Sequence, residues 1–211
     1  MNFEKGITGL CGPQGIGKTT LCKTVDGITC SLDDFYKPHS ELKSLGFEFR
    51  GFPGTHDLAL LKQCLLDHKQ GKSLKIPIYD KSCHGGKGDR IGFRHCEFHE
   101  VFVVEGWMMG YLPNDGPVAD ELRAFNEALK EYGDVWKLFD HWIFLEIADL
   151  NWIYQWRYEQ EQDLIEQGKN GMDRKTLKRF VDSFIPVYEN FNHIKLNSKT
   201  IKVNKERKFE F

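Results

Sequence analysis

Apolar residues in this chain fall into short continuous blocks separated by longer amphipathic stretches. Ile7-Thr8-Gly9-Leu10-Cys11, Ile28-Thr29-Cys30-Ser31-Leu32, Val101-Phe102-Val103-Val104 and His141-Trp142-Ile143-Phe144-Leu145-Glu146-Ile147 are strand-sized and largely apolar. Strands buried on both faces of a parallel sheet read this way. Thr200-Ile201-Lys202-Val203 reads as the last strand, with Lys205-Glu206-Arg207-Lys208 trailing off as a polar tail. Helical spacing fills the gaps. Leu58, Leu61, Leu65 and Leu66 share one face of a predicted helix running from Asp57 to Lys69, capped by Thr55 and closed by Gly71. Leu122, Phe125, Leu129 and Tyr132 stripe a second over Pro117 to Tyr132, ended by Gly133. A charge-dense helix is expected from Asp149 to Gln167, and another from Asp173 through Phe184, stopped near Pro186. Lys75 to Tyr79 is extended, and the glycine-rich stretch from Asp80 to Arg90 reads as a polar loop. Strands alternating with helices predict an α/β fold with a mostly parallel sheet.

Composition narrows the class. At 211 residues the chain fits one domain over 1–211, with no repeat or internal boundary. A net charge of −2 with interleaved signs gives no basic face, so nucleic acid is not an expected partner. No apolar run reaches membrane-spanning length. The first strand begins almost at the N-terminus, leaving no room for a signal peptide. Six cysteines without C-x-x-C spacing fit reduced thiols in a cytoplasmic protein, expected to be a monomer or weak homodimer. Cys83-His84 and His95-Cys96 with His99 match none of the common zinc spacings.

The candidate chemistry starts at Gly12-Pro13-Gln14-Gly15-Ile16-Gly17-Lys18-Thr19-Thr20, which satisfies G-x-x-x-x-G-K-S/T between a strand and a helix. Its glycines let backbone N–H groups turn inward around phosphate oxygens. Lys18 supplies a charge for the β- and γ-phosphates of ATP, and the Thr19 hydroxyl a ligand for Mg²⁺. Two further strands end in carboxylates at the sheet edge where α/β proteins bind ligands: Asp33-Asp34 and Glu105. The pair is well placed for chemistry there, with a cap on the next turn as the alternative reading of Asp34. Glu105 stands where a second Mg²⁺-organising carboxylate, acting through water, belongs. Lys81, Lys87 and Arg90 make the 80–90 loop cationic, which suits an anionic ligand or a solvated surface loop.

Several motifs together resemble the D-glycerate 3-kinase family of plants and fungi. They are Ser31-Leu32-Asp33-Asp34-Phe35-Tyr36, Arg50-Gly51-Phe52-Pro53-Gly54-Thr55-His56-Asp57, Tyr79-Asp80-Lys81-Ser82, Gly88-Asp89-Arg90, Glu105-Gly106-Trp107-Met108-Met109-Gly110 and Tyr154-Gln155-Trp156-Arg157. That family is similar in turn to pantothenate kinase, uridine kinase and phosphoribulokinase. The resemblance implies a P-loop NTPase fold, three layers with a five-stranded parallel sheet flanked by helices and a helical lid near 150–175. It also implies ATP-dependent phosphorylation of a small-molecule hydroxyl, D-glycerate giving 3-phosphoglycerate. By the same likeness Asp33 is the base, with Asp34 as understudy, and Arg157 is a lid cation that closes over the phosphates. Bidentate geometry makes Arg90, with Lys81 and Arg50, a candidate for the acceptor carboxylate, and His56, Tyr79 and Tyr36 candidates for its hydroxyls. The segment between Lys18 and Ser31 is shorter than in the plant pattern, which trims the far end of the first helix.

Two other functions fit the same residues: a kinase of this fold acting on a nucleoside, pantothenate or another sugar acid, and an ATP-binding switch or assembly protein. By position after the last strand alone, residues 204–207 are candidates near the adenine base.

Overall fold

A strand buried on both faces needs a layer on each side, and the chain supplies both. The computed structural model describes residues 2–47, 50–166, 168, 172–191, 193 and 197–210. Its strands are β1 (Gly6–Cys11), β2 (Ile28–Ser31), β3 (Leu74–Asp80), β4 (Asp89–Cys96), β5 (Val101–Gly106), β6 (His141–Glu146), β7 (Ser198–Val203) and β8 (Phe209–Glu210). Its helices are α1 (Lys18–Cys22), α2 (His39–Ser44), α3 (Leu58–Lys69), the single turn α4 (Cys83–Gly86), α5 (Arg123–Leu129), α6 (Gly133–Trp136), α7 (Asn151–Glu166), α8 (Arg174–Asp182) and α9 (Ile185–Asn190).

The main sheet has the order β2-β5-β1-β6-β7-β8. Its first five strands run parallel, as expected, and β8 adds an antiparallel edge. Side chains alternate between two cores. Ile7, Phe102, Val104 and Phe144 face Leu61 and Leu65 of α3, Leu129 of α5 and Val187 of α9. Leu10, Val103, Ile143 and Leu145 face Leu21 of α1 and Trp156 of α7.

The order β2-β5-β1 matters most for function. Ser31 is level with Glu105, and Cys11 with Gly106, so the phosphate loop, Glu105 and Asp33-Asp34 leave adjacent strand ends together. Helix α1 is only five residues long, about 7.5 Å, as the shortened crossover implied.

Several boundaries differ from the sequence expectation. The polar stretch after Asp80 is not all loop: β4 pairs antiparallel with β3 as a separate two-stranded sheet. Asp57 rather than Thr55 caps α3, its Oδ1 accepting from the Leu60 amide at 3.0 Å. Thr55 is buried and donates to Phe52 O. The Pro117–Tyr132 helix begins later and in pieces, and Gly133 starts α6 instead of ending a helix, because its φ of −54° is itself helical. Pro186 sits in the first turn of α9, where its missing N–H costs nothing, so helix resumes there. The tail 205–208 turns back into β8. Gln167 lies outside the described residues.

Candidate active site

The phosphate loop is held open by its glycines. Gly15 has φ +81°, and a β-carbon there would sit 2.7 Å from Trp156 Cβ. Gly17, at φ +101°, is the residue from which α1 starts. Both are conformations that other residues adopt only with strain. Lys18 is buried, and its ammonium folds back to donate to Gly12 O at 2.8 Å and Pro13 O at 3.1 Å. The Thr19 hydroxyl donates to Glu105 Oε1 at 2.9 Å. These two oxygens, the metal-side candidates from α1 and from the end of β5, meet directly.

The paired aspartates separate into different roles. Ser31 Oγ accepts from the Asp33 amide at 3.2 Å, while Asp34 Oδ2 accepts from the Ser31 amide at 3.0 Å. This reciprocal cap ties Asp34 to its own backbone. Asp34 also lines a cleft of about 250 Å³ with Thr19, Ser31, Arg94 and Glu105. Burial raises its pKa above the ordinary value.

Asp33 faces the other way. Its Oδ1 accepts from the Tyr36 hydroxyl at 2.7 Å and its Oδ2 from Lys81 Nζ at 2.5 Å. Burial pushes its pKa up, but Lys81, Tyr36 and His56 outweigh that and hold it near 2. Tyr36 stacks on His56 with ring centroids 4.6 Å apart and meets Tyr79 edge-on at 5.3 Å. His56 is 2% exposed; its Nδ1 pairs with Tyr132 Oη at 2.7 Å and its Nε2 has no partner. Burial lowers the His56 pKa to about 4, against the pull of Asp33. This imidazole is therefore neutral at pH 7.

No protein-family model matches the chain. It is 32% identical over 213 residues to the chloroplastic D-glycerate 3-kinase of Arabidopsis thaliana, covering 87% of this chain but 47% of that protein. With the kinase mug58 of Schizosaccharomyces pombe it shares 31% over 219 residues, covering 86% of this chain and 79% of the relative. The solved D-glycerate 3-kinase of Cryptococcus neoformans superimposes with a TM-score of 0.82 at 27% identity, over 100% of this chain and 91% of that one. The chain belongs to the D-glycerate 3-kinase family.

The candidate cations for the acceptor carboxylate are each engaged within the protein. Arg90 Nη2 donates to Tyr36 O at 3.1 Å and Asp57 Oδ2 at 3.0 Å, and its side chain is only 14% exposed. It forms a half-buried ion pair against the Tyr36 backbone, because the α3 cap places a carboxylate beside it. Arg50 donates to Gly86 O at 2.8 Å and Lys87 O at 2.5 Å, closing the turn of α4 while lying 5.5 Å over the Tyr79 ring. Lys81 remains the most exposed of the three. Arg157 is tied within its own helix to Gln160 at 2.7 Å and Glu161 at 2.6 Å, with its Nε unpartnered.

The structure also brings in contacts that the sequence reading missed. Arg94 of β4 donates to Thr29 O at the floor of the cleft. Tyr132 orients His56, and the Tyr188 hydroxyl accepts from the Gln14 amide at 3.4 Å. Arg207 donates to Gly15 O at 2.9 Å. Their signals were apolar stripes and a polar tail, which carry no chemistry until folded.

Among the described residues no helix is long and apolar enough to cross a membrane.

Proposed function

We propose that this protein is a Mg²⁺-dependent kinase that transfers the γ-phosphoryl group of ATP to the terminal hydroxyl of D-glycerate, giving ADP and 3-phosphoglycerate. The observation that carries this is the Asp33 carboxylate, set at a strand end beside the phosphate loop and flanked by a tyrosine hydroxyl and an exposed cation. Family membership and the plant and fungal relatives' names support the choice of acceptor.

The loop 12–20 would hold the nucleotide phosphates, with Lys18 exchanging its two loop carbonyls for phosphate oxygens. The residues fit Mg²⁺: the Thr19 hydroxyl and buried Glu105 present hard oxygen donors at one point, with Asp34 across the same cleft. When bound there, the ion would neutralise charge on the transferring phosphoryl group. Thr19 would be the direct ligand, with Glu105 acting through water.

On the acceptor side, Asp33 orients the hydroxyl and takes its proton as the O–P bond forms. With a pKa near 2 it is a weak base, so its contribution is mainly positioning. Lys81 is the cation for the glycerate carboxylate, and Arg50 lies over the Tyr79 ring. Arg90 acts from below, fixing the Tyr36 backbone so that its hydroxyl meets Asp33. His56 and Tyr79 wall the pocket. Arg157 adjoins the phosphate loop on α7 and reaches a phosphate only by leaving Glu161, which suits a lid residue that moves as α7 closes over the loop.

The chain acts as one kinase domain. All six cysteines are free, which supports a reducing compartment such as the cytoplasm. Phosphorus NMR of a reaction with D-glycerate tests the assignment. A 3-phosphoglycerate signal supports it; 2-phosphoglycerate, or ATP hydrolysis alone, would sink it.

A further inference from the structure

The turn between β7 and β8 ends a chain of contacts that begins inside the phosphate loop. Asn204 closes that turn: its Oδ1 accepts from the amides of Glu206 at 3.1 Å and Lys208 at 2.9 Å. The closure holds Arg207 at φ +60°, a left-handed conformation that long side chains seldom adopt. From there Arg207 Nε donates to Gly15 O at 2.9 Å, and Nη2 donates to Glu159 Oε2 of α7 at 2.7 Å. Its guanidinium lies 5.4 Å from the centre of the Trp156 ring, whose indole N–H donates to Lys205 O at 2.9 Å. Trp156 in turn is the side chain against which Gly15 is packed.

The Gly15 contact is the informative one. In a trans peptide the C=O and the following N–H point in opposite directions. Fixing Gly15 O outward therefore also fixes the Ile16 N–H on the inner side of the loop, where only a long 3.4 Å bond to Pro13 O otherwise restrains it. The ion pair with Glu159, with side chains 34% and 43% exposed, contributes little by itself. Its use is to aim the guanidinium fork.

We propose that Arg207 is a positioning residue for nucleotide binding: it holds the Gly15–Ile16 peptide of the phosphate loop in its phosphate-accepting orientation and ties that loop to α7. Losing it leaves every loop residue present but makes the loop order itself when phosphates arrive, so nucleotide affinity falls while the transfer step changes little. The inference rests on the nucleotide half of the proposed function and is independent of the acceptor.

The test uses the full chain with Arg207→Gln, Arg207→Lys and Asn204→Ala. Equilibrium dissociation constants for Mg·ATP and for inorganic tripolyphosphate are measured, together with KM for ATP, kcat and melting temperature. Arg207→Gln is expected to weaken ATP and tripolyphosphate in parallel by about tenfold, the worth of a charged hydrogen bond, with kcat within about threefold of the parent. Arg207→Lys should recover part of the loss, and Asn204→Ala should shift affinity in the same direction by less. A merely structural role would lower the folded fraction, cutting kcat and melting temperature with KM unchanged, and that result overturns the proposal. So does a loss confined to ATP with tripolyphosphate unaffected, which would make Arg207 a base contact. The dissociation constants remain measurable if D-glycerate proves not to be the acceptor, so the two failures are distinguishable.

Discussion

Lys81 closes on the one oxygen of the Asp33 carboxylate that Tyr36 leaves free, at 2.5 Å. A cation so placed depresses the basicity of Asp33, yet it is also the one best exposed to meet a substrate carboxylate. Replacing it with methionine should therefore do two things. KM for D-glycerate should rise by about tenfold, as expected for a lost charged contact. The pKa of Asp33 should move up toward its ordinary value, so the acid limb of kcat/KM appears at higher pH than in the parent. In the parent the depressed pKa keeps Asp33 ionised, and its contribution to stability is present above pH 3.8 and lost as pH falls toward about 2. A pH–rate profile in which KM and the acid limb both stay put would refute this role for Lys81.

The Thr19–Glu105 contact predicts a metal phenotype. Glu105→Gln keeps the hydrogen bond but removes the charge, so the Mg²⁺ concentration for half-maximal rate at saturating ATP should rise by about ten- to a hundredfold. Titration of the rate with Mg²⁺ checks it; an unchanged midpoint would remove Glu105 from the metal's surroundings.

His56 predicts a pH dependence of stability. Its folded pKa of about 4 lies below the ordinary histidine value of 6.5, so the unfolded chain binds the proton more readily. The stabilisation is fully present above pH 6.5 and is lost as the pH falls toward 4, amounting to about 3 kcal/mol over that window. Denaturant titrations of the parent and His56→Gln between pH 4 and 7 should differ in slope. Parallel curves would mean that the imidazole is not desolvated.

Gly15→Ala should cost about 1–3 kcal/mol of stability, from the left-handed φ alone, and should also weaken ATP binding. The backbone is in the wrong region for alanine, and the new methyl meets Trp156. Thermal melts with and without Mg·ATP measure both effects, and a variant that melts and binds like the parent would contradict the geometry.

The sequence made the phosphate loop legible because its constraints are local: backbone turns, one lysine and one hydroxyl at fixed spacing. Asp33 and Asp34 were legible as a pair but not individually, since only the reciprocal cap with Ser31 assigns Asp34 to the backbone and frees Asp33. The pairing of Arg90, a candidate for the acceptor carboxylate, was not legible because its partner Asp57 lies 33 residues away. The β3–β4 sheet itself was hidden by glycines, which read as loop but let β4 pass Tyr79 and Ile78 closely. Arg207 could be placed near the nucleotide only by position, and its contact was hidden because its partner Gly15 lies 192 residues away. Long-range pairs of this kind leave no periodicity and no spacing for a reader of one sequence to find.

The most direct test of the central claim is ADP release with Mg·ATP across D-glycerate, L-glycerate, pantothenate, uridine and buffer alone, for the parent and for Asp33→Asn. The expected result is turnover with D-glycerate above every other acceptor, reduced at least a hundredfold by the substitution, as for a lost acceptor-side base. ADP release that no acceptor raises above buffer, in a protein that still binds ATP, would contradict the account and point to a nucleotide-dependent switch.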